Sequence, residues 1–232
     1  MRAWHNSHHG MTRVDVVIFA AVLVLLLGVI LGILRQSSRA RDRQQCVANL
    51  KQIALGMNLG MQEKFSNDSI SKTTPKQSGS LENAGGPNTY RLFQAISNYI
   101  GDPGLLVCPA DDRKPATNWA TLRNFNISYF GNLDFHLESI MWRRKSSYPP
   151  DVAYNYLLVG DRYITNKGFD PQTCMLVSSN NPPQWTRAHS RGSGTPHGCF
   201  ASWDGAVQTS NNEGLALNAQ QLDDMTNHLA VP

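Results

Sequence analysis

The sequence predicts an α+β protein: one long amino-terminal helix, membrane-spanning in its first half, packed on a small, mainly antiparallel β-sheet domain. Three observations predict it. An unbroken apolar run lies near the amino terminus, at Val16–Leu34. A helical periodicity continues past that run, and the first proline is Pro75. Beyond about residue 112, short apolar runs alternate with Asn, Gly, Asp and Pro, the pattern of strands and turns. Composition sets the outer bounds. A chain of 232 residues holds one globular domain plus an appendage. Charged residues make up 16%, below the roughly 25% usual for soluble domains. Mean hydropathy is −0.34, which excludes a polytopic membrane protein. With 18 Gly and 12 Pro, collagen-like and low-complexity readings are excluded. A net charge of +4 is too small to argue for nucleic acid as a partner, and none is expected.

The apolar run reads VVIFAAVLVLLLGVILGIL, 19 residues without a polar side chain. At about 1.5 Å per residue it nearly crosses the roughly 30 Å hydrocarbon core of a bilayer. A soluble core helix rarely runs this long without a polar face. A secretory signal has an apolar region of about 7–15 residues and ends at small residues. This run is longer and ends at Arg35-Gln36-Ser37-Ser38-Arg39, so the helix is expected to stay in the mature chain, with its membrane span at 14–34. Asp15 stands at the edge of the run, where an acid is costly and usually has a partner or a role.

The residues ahead of the run, MRAWHNSHHG, are polar, and Gly10 is followed by Met11-Thr12-Arg13-Val14-Asp15. This constellation resembles the prepilin class, the type IV pilins and type II secretion pseudopilins. The resemblance implies a leader over 1–10, cleavage between Gly10 and Met11 by a prepilin peptidase, N-methylation of Met11, and an assembly role for Asp15 at the fifth mature position. Met11 stands where the class usually has Phe, and Asp15 where it usually has Glu. A carboxylate in lipid can pair with the ammonium of a neighbouring subunit's Met11 and neutralise both charges. Met11 also reads as an alternative translation start, with no leader. Positive charge follows the helix (Arg35, Arg39, Arg41, Arg43) more than it precedes it (Arg2, Arg13), which taken alone orients the carboxyl side inward. The prepilin reading orients it outward.

Within the span, Gly28 and Gly32 form a small-xxx-small step that lets helices approach closely. Gly32 also lowers helix propensity by about 1 kcal/mol, enough to allow local unwinding in a filament. Past Leu34, the residues Val47, Leu50, Ala54, Met57 and Met61 recur at spacings of three and four among Arg, Gln, Lys and Asn. One helix is therefore predicted from about Thr12 to about Lys64, roughly 80 Å long. The segment Cys46-Val-Ala-Asn49-Leu50-Lys51-Gln52-Ile53 resembles the C-x-x-N-L-K-Q-I signature of a group of major-pseudopilin homologues.

The rest of the chain, 65–232, is predicted as the globular head. Ser, Asn, Lys, Thr and Gly over 65–88 read as an exposed loop. Tyr90–Ile100 reads as a short amphipathic helix stopped at Gly101. Leu105-Leu-Val-Cys108-Pro109-Ala-Asp111 resembles the CP-[SA]-D element of the same group. Ile127–Gly131, Tyr154–Val159 and Thr173–Val177 read as strands. Cys199–Gln208 reads as a hairpin turning at Asp204-Gly205, and it resembles the group's ADG-x-V hairpin. Residues 215–232 resemble the group's ending, a short polar helix and an apolar tail.

The four cysteines are Cys46, Cys108, Cys174 and Cys199, too few for a disulfide scaffold. Three pairings exist, and four buried thiols are the alternative. Because Cys46 and Cys108 lie in the two signatures, the resemblance favours a Cys46–Cys108 disulfide, which leaves Cys174–Cys199. No catalytic residues and no resident cofactor are expected. His189-Ser190 with Asp204 lacks the strand–turn–helix setting of a hydrolase nucleophile. His5, His8 and His9 would leave with the leader. Asp111, Asp112 and Asp204 are the candidate set for Ca²⁺, without EF-hand spacing.

Taken together, the resemblance implies a pseudopilin-like structural subunit of a type II secretion or type IV pilus-like filament in the inner membrane. Its head would face the periplasm or the exterior. Its partners would be the lipid bilayer, identical or related pseudopilins, the prepilin peptidase and the inner-membrane platform of a secretion system. The competing expectation is a single-pass anchored binding protein for carbohydrate or protein, with Trp119, Trp142 or Trp185 on a binding face.

Overall fold

The computed structural model describes residues 13–64, 88–133, 157–171, 174–187, 195–220 and 227–232. The chain divides into two compact units, Met1–Arg41 and Asp42–Pro232. Helix α1 runs unbroken over Arg13–Lys64, close to the predicted span. In the first unit its large apolar side chains from Val14 to Leu34 are all exposed, and it is the one helix among the described residues long and apolar enough to cross a membrane. The leader and the cleavage position, Gly10 and Met11, lie outside the described residues, as does most of the loop expected over 65–88.

The second unit is α+β. Two short helices, α2 (Tyr90–Ala95) and α3 (Ser97–Ile100), stand where one helix was predicted. The chain breaks at Ile96 and stops at Gly101, whose φ of 79° suits glycine. The strands are β1 (Tyr129–Asn132), β2 (Leu157–Asp161), β3 (Ile164–Thr165), β4 (Met175–Val177), β5 (Gln184–Trp185), β6 (His197–Ser202), β7 (Val207–Asn211) and β8 (Asn227–Ala230). Helix α4 (Asn212–Gln220) lies between the last two. The main sheet has the order β4-β8-β1-β2-β6-β7, and every neighbouring pair is antiparallel. Strands β3 and β5 form a separate pair. The apolar tail expected at the carboxyl end is in fact β8, inserted between β4 and β1 with Leu229 and Ala230 buried.

Side chains alternate across this sheet. Tyr129, Val159, Cys199 and Ala201 face one core, with Cys46, Leu50, Ile53, Ala54 and Met57 of α1 and Leu92, Phe93 and Ile96 of α2–α3. Phe130 and Phe200 face the other, with Trp185, Leu215 and Leu229. The buried stripe of α1 thus includes Cys46 and Ile53, while Val47 is only half-buried. Gly56 and Gly60 let this part of α1 meet α2–α3 closely, since a Cβ on Gly56 would lie 2.8 Å from Ile100.

The β6–β7 hairpin turns at Asp204-Gly205 as predicted. Gly205 takes φ 82°. Asp204 accepts from Ser202 Oγ (2.9 Å) and from the Ala206 N–H (3.0 Å). Gly160 sits between Phe130 and Phe200 on the adjacent strands, and a Cβ there would lie 2.7–2.8 Å from both. Gly160→Ala is expected to cost about 2 kcal/mol by overpacking. The check is the urea midpoint of the detergent-solubilised chain, which should fall.

Candidate functional site: a thiol–carboxylate cluster and its clasp

The two signature segments meet in space. In α1 the inward residues of Cys46-x-x-Asn49-Leu50-x-x-Ile53 are buried, while Lys51 and Gln52 are exposed. Asn49 Nδ2 donates to the Val107 carbonyl at 3.2 Å, one residue before Cys108. Gln45 Nε2 holds the Asn49 amide oxygen at 3.0 Å. Cys108 lies within hydrogen-bonding reach of the Cys46 thiol. The helix signature is therefore the face that receives the Cys-Pro segment.

Around Cys46 the donors converge. Its thiol is 3.5 Å from Asp161 Oδ1, and the Tyr129 hydroxyl donates to its sulfur at 3.5 Å. The ligand atoms of Cys46, Asp161 and Cys199 all lie within 4.8 Å of one another. Asp161, at the end of β2, is 3% exposed and accepts from the Cys199 N–H at 2.6 Å. Cys199 Sγ is 3.3 Å from Thr209 Oγ1, and the Ala110 N–H donates to Cys108 Sγ at 3.4 Å. Hydrogen bonds to Cys108 and Cys199, then burial, push the Cys46 thiol far above the ordinary thiol range. Burial, reinforced by the neighbouring thiols and carboxylate, raises the Tyr129 hydroxyl in the same way.

None of the four cysteines is in a disulfide in this structure. Cys46 and Cys108 are neighbours, but Cys199 joins them rather than Cys174. The pairing Cys174–Cys199 does not fit the sheet. Cys174 abuts β4, and β8, β1 and β2 separate β4 from β6. At about 4.8 Å per strand that is roughly 19 Å, against a disulfide reach of about 7 Å between Cα atoms. Cys174 is half-buried.

Next to the cluster, the Cys-Pro-Ala-Asp segment is clasped to the end of β2. Arg162 donates twice to the Asp111 carboxylate, Nε to Oδ2 at 2.8 Å and Nη2 to Oδ1 at 3.0 Å. The Tyr163 hydroxyl donates to Asp111 Oδ1 at 2.9 Å. Arg162 and Arg187 lie over the Tyr163 ring, at 4.2 and 4.9 Å from its centroid. Burial alone would raise the Asp111 carboxyl, but the hydrogen bonds, led by Arg162, outweigh it and hold it well below the usual carboxylate range. One segment on, Arg113 fastens the carbonyls of Asn124, Ile127 and Pro232. Its burial brings the guanidinium down to about 10.

The carboxylates named as the candidate set for Ca²⁺ have other partners here. Asp111 is taken up by Arg162 and Tyr163, and Asp204 by its own turn. The metal-competent group among the described residues is Cys46, Asp161 and Cys199. Sequence reading missed Asp161, although an acid directly after the apolar run Leu157-Leu-Val-Gly160 was the available signal. A tryptophan binding face is not supported either. Trp185 is 2% exposed, and its Nε1 donates to Ser210. Trp119 is half-buried at the core edge, bonded to the Gly101 carbonyl at 3.0 Å. Trp142 and the His189-Ser190 pair lie outside the described residues. Asp15 is in the first turn of α1, where an acid complements the helix dipole. A Cβ on Gly28 or Gly32 would meet nothing within 4 Å.

Fold and site together define an α+β chain carrying one helix long and apolar enough to cross a membrane. No family model matches the chain, and no curated protein or solved structure is significantly similar to it.

Proposed function

We propose that this chain is a filament subunit of the pseudopilin class, anchored in the inner membrane by α1 and assembled through it. The observation that carries the reading is the apolar face of α1. From Val14 to Leu34 every large side chain is about half exposed or more, for example Leu25 at 71% and Leu23 at 49%. Left in water, that surface would cost far more than a domain's net stability, at about 25 cal/mol per Å². It requires lipid, neighbouring helices, or both. The prepilin-like segment Gly10-Met11-…-Asp15 and the two meeting signatures favour neighbouring helices of the same class. Such a subunit acts by assembly and needs no catalytic group. Its head is placed in the periplasm or outside the cell, and it is cut by a prepilin peptidase after Gly10.

The test is photocrosslinking in native membranes from a photoreactive residue at Leu23. A ladder of multiples of the chain is expected. Monomer alone, with full membrane retention, would favour the anchored binding protein instead.

A further inference from the structure

We propose that Cys46, Cys199 and Asp161 form a binding site for one soft divalent metal ion of the Zn²⁺ class. This inference is independent of the filament reading. The separations carry it first. A tetrahedral Zn²⁺ with bonds of about 2.0–2.3 Å places its ligand atoms roughly 3.5–3.8 Å apart. Cys46 Sγ and Asp161 Oδ1 are 3.5 Å apart, and Cys199 Sγ completes a triangle with no edge above 4.8 Å. Thiolate donors select zinc over calcium or magnesium.

The surroundings carry it second. Metal ligands are oriented by hydrogen bonds from a second layer of groups. Each of the three donors here has one. Tyr129 Oη donates to Cys46 Sγ. The Cys199 N–H donates to Asp161 Oδ2, and Thr209 Oγ1 contacts Cys199 Sγ. The three donors come from three separate stretches: α1, the end of β2, and β6. A bound ion would join them at one point. Binding releases the thiol protons to solvent. A Cys46–Cys108 disulfide and the metal are mutually exclusive, since both need the Cys46 sulfur.

The experiment uses the full chain, extracted in detergent without chelator from cells grown with added Zn²⁺. Elemental analysis should give about one zinc per chain. Exchange with Co²⁺ should give thiolate-to-metal charge-transfer absorption and the intense visible bands of a tetrahedral site. Cys199→Ser and Asp161→Asn should each lower metal content at least about tenfold, and Cys174→Ser should leave it unchanged. Should Cys199→Ser fail to fold, the cobalt spectrum of the unaltered chain decides. Wild-type chain with less than about a tenth of an equivalent of zinc and no cobalt–thiolate absorption overturns the proposal. So does a Cys46–Cys108 disulfide found by mass in metal-free chain from native membranes. Equal metal loss in Cys174→Ser would also overturn it.

Discussion

Asp15→Ala is expected to leave the chain in the membrane and to remove it from filaments. Alanine lowers the insertion cost of α1, because an acid near the edge of a span opposes insertion and a methyl group does not. Anchoring should therefore be equal or better. Assembly should fail, because in the filament reading the carboxylate neutralises the ammonium of a neighbouring Met11. Removing one member of a desolvated pair leaves the other charge buried, which costs about 3–5 kcal/mol. At about 1.4 kcal/mol per tenfold, incorporation should drop at least a hundredfold. Asp15→Asn should fail in the same way, since it keeps the shape and loses the charge. Asp15→Glu should restore assembly. The check is the ratio of sheared, sedimentable chain to membrane-bound chain. A tethered binding protein would tolerate all three changes.

The second large effect concerns stability. Asp111→Ala removes the acceptor of two Arg162 bonds and one Tyr163 bond. The Asp111 side chain is 1% exposed and that of Arg162 20%, so the guanidinium keeps some access to water. A loss of about 2–3 kcal/mol is expected, or roughly 5–10 °C in thermal midpoint for a unit of this size. The pH dependence has a definite sign. The carboxyl is held below its unfolded value of about 4. Its contribution is therefore complete above about pH 4 and is lost as pH falls further. Wild type should lose stability below pH 4 more steeply than Asp111→Ala, and the two should converge in acid. Parallel curves would show that the clasp does not act through the charge of Asp111.

What the sequence made legible follows from the range of each interaction. Helix α1 was readable because both of its halves carry local signals, an unbroken apolar run and then spacings of three and four. The β6–β7 hairpin was readable because Asp204-Gly205 supplies its turn. The sheet order was not. Strand β8 lies between β4 and β1 although some 50 and 100 residues separate them along the chain, and nothing local encodes such a pairing. The Cys174–Cys199 pairing fails for the same reason, since the distance from β4 to β6 depends on that order. Asp161 went unnoticed because a lone acid at a strand end acquires meaning only when Cys46 and Cys199 arrive from α1 and β6. The signature residues Cys46, Asn49, Cys108 and Asp111 were visible as a pattern. The structure gives them one physical reason, the fastening of the Cys-Pro segment to α1 and to β2.

The most direct test of the filament account is the intact mass and amino-terminal sequence of the chain isolated from its native membrane. The account predicts a chain that begins at N-methylated Met11. A mature chain that begins at Met1 would contradict it.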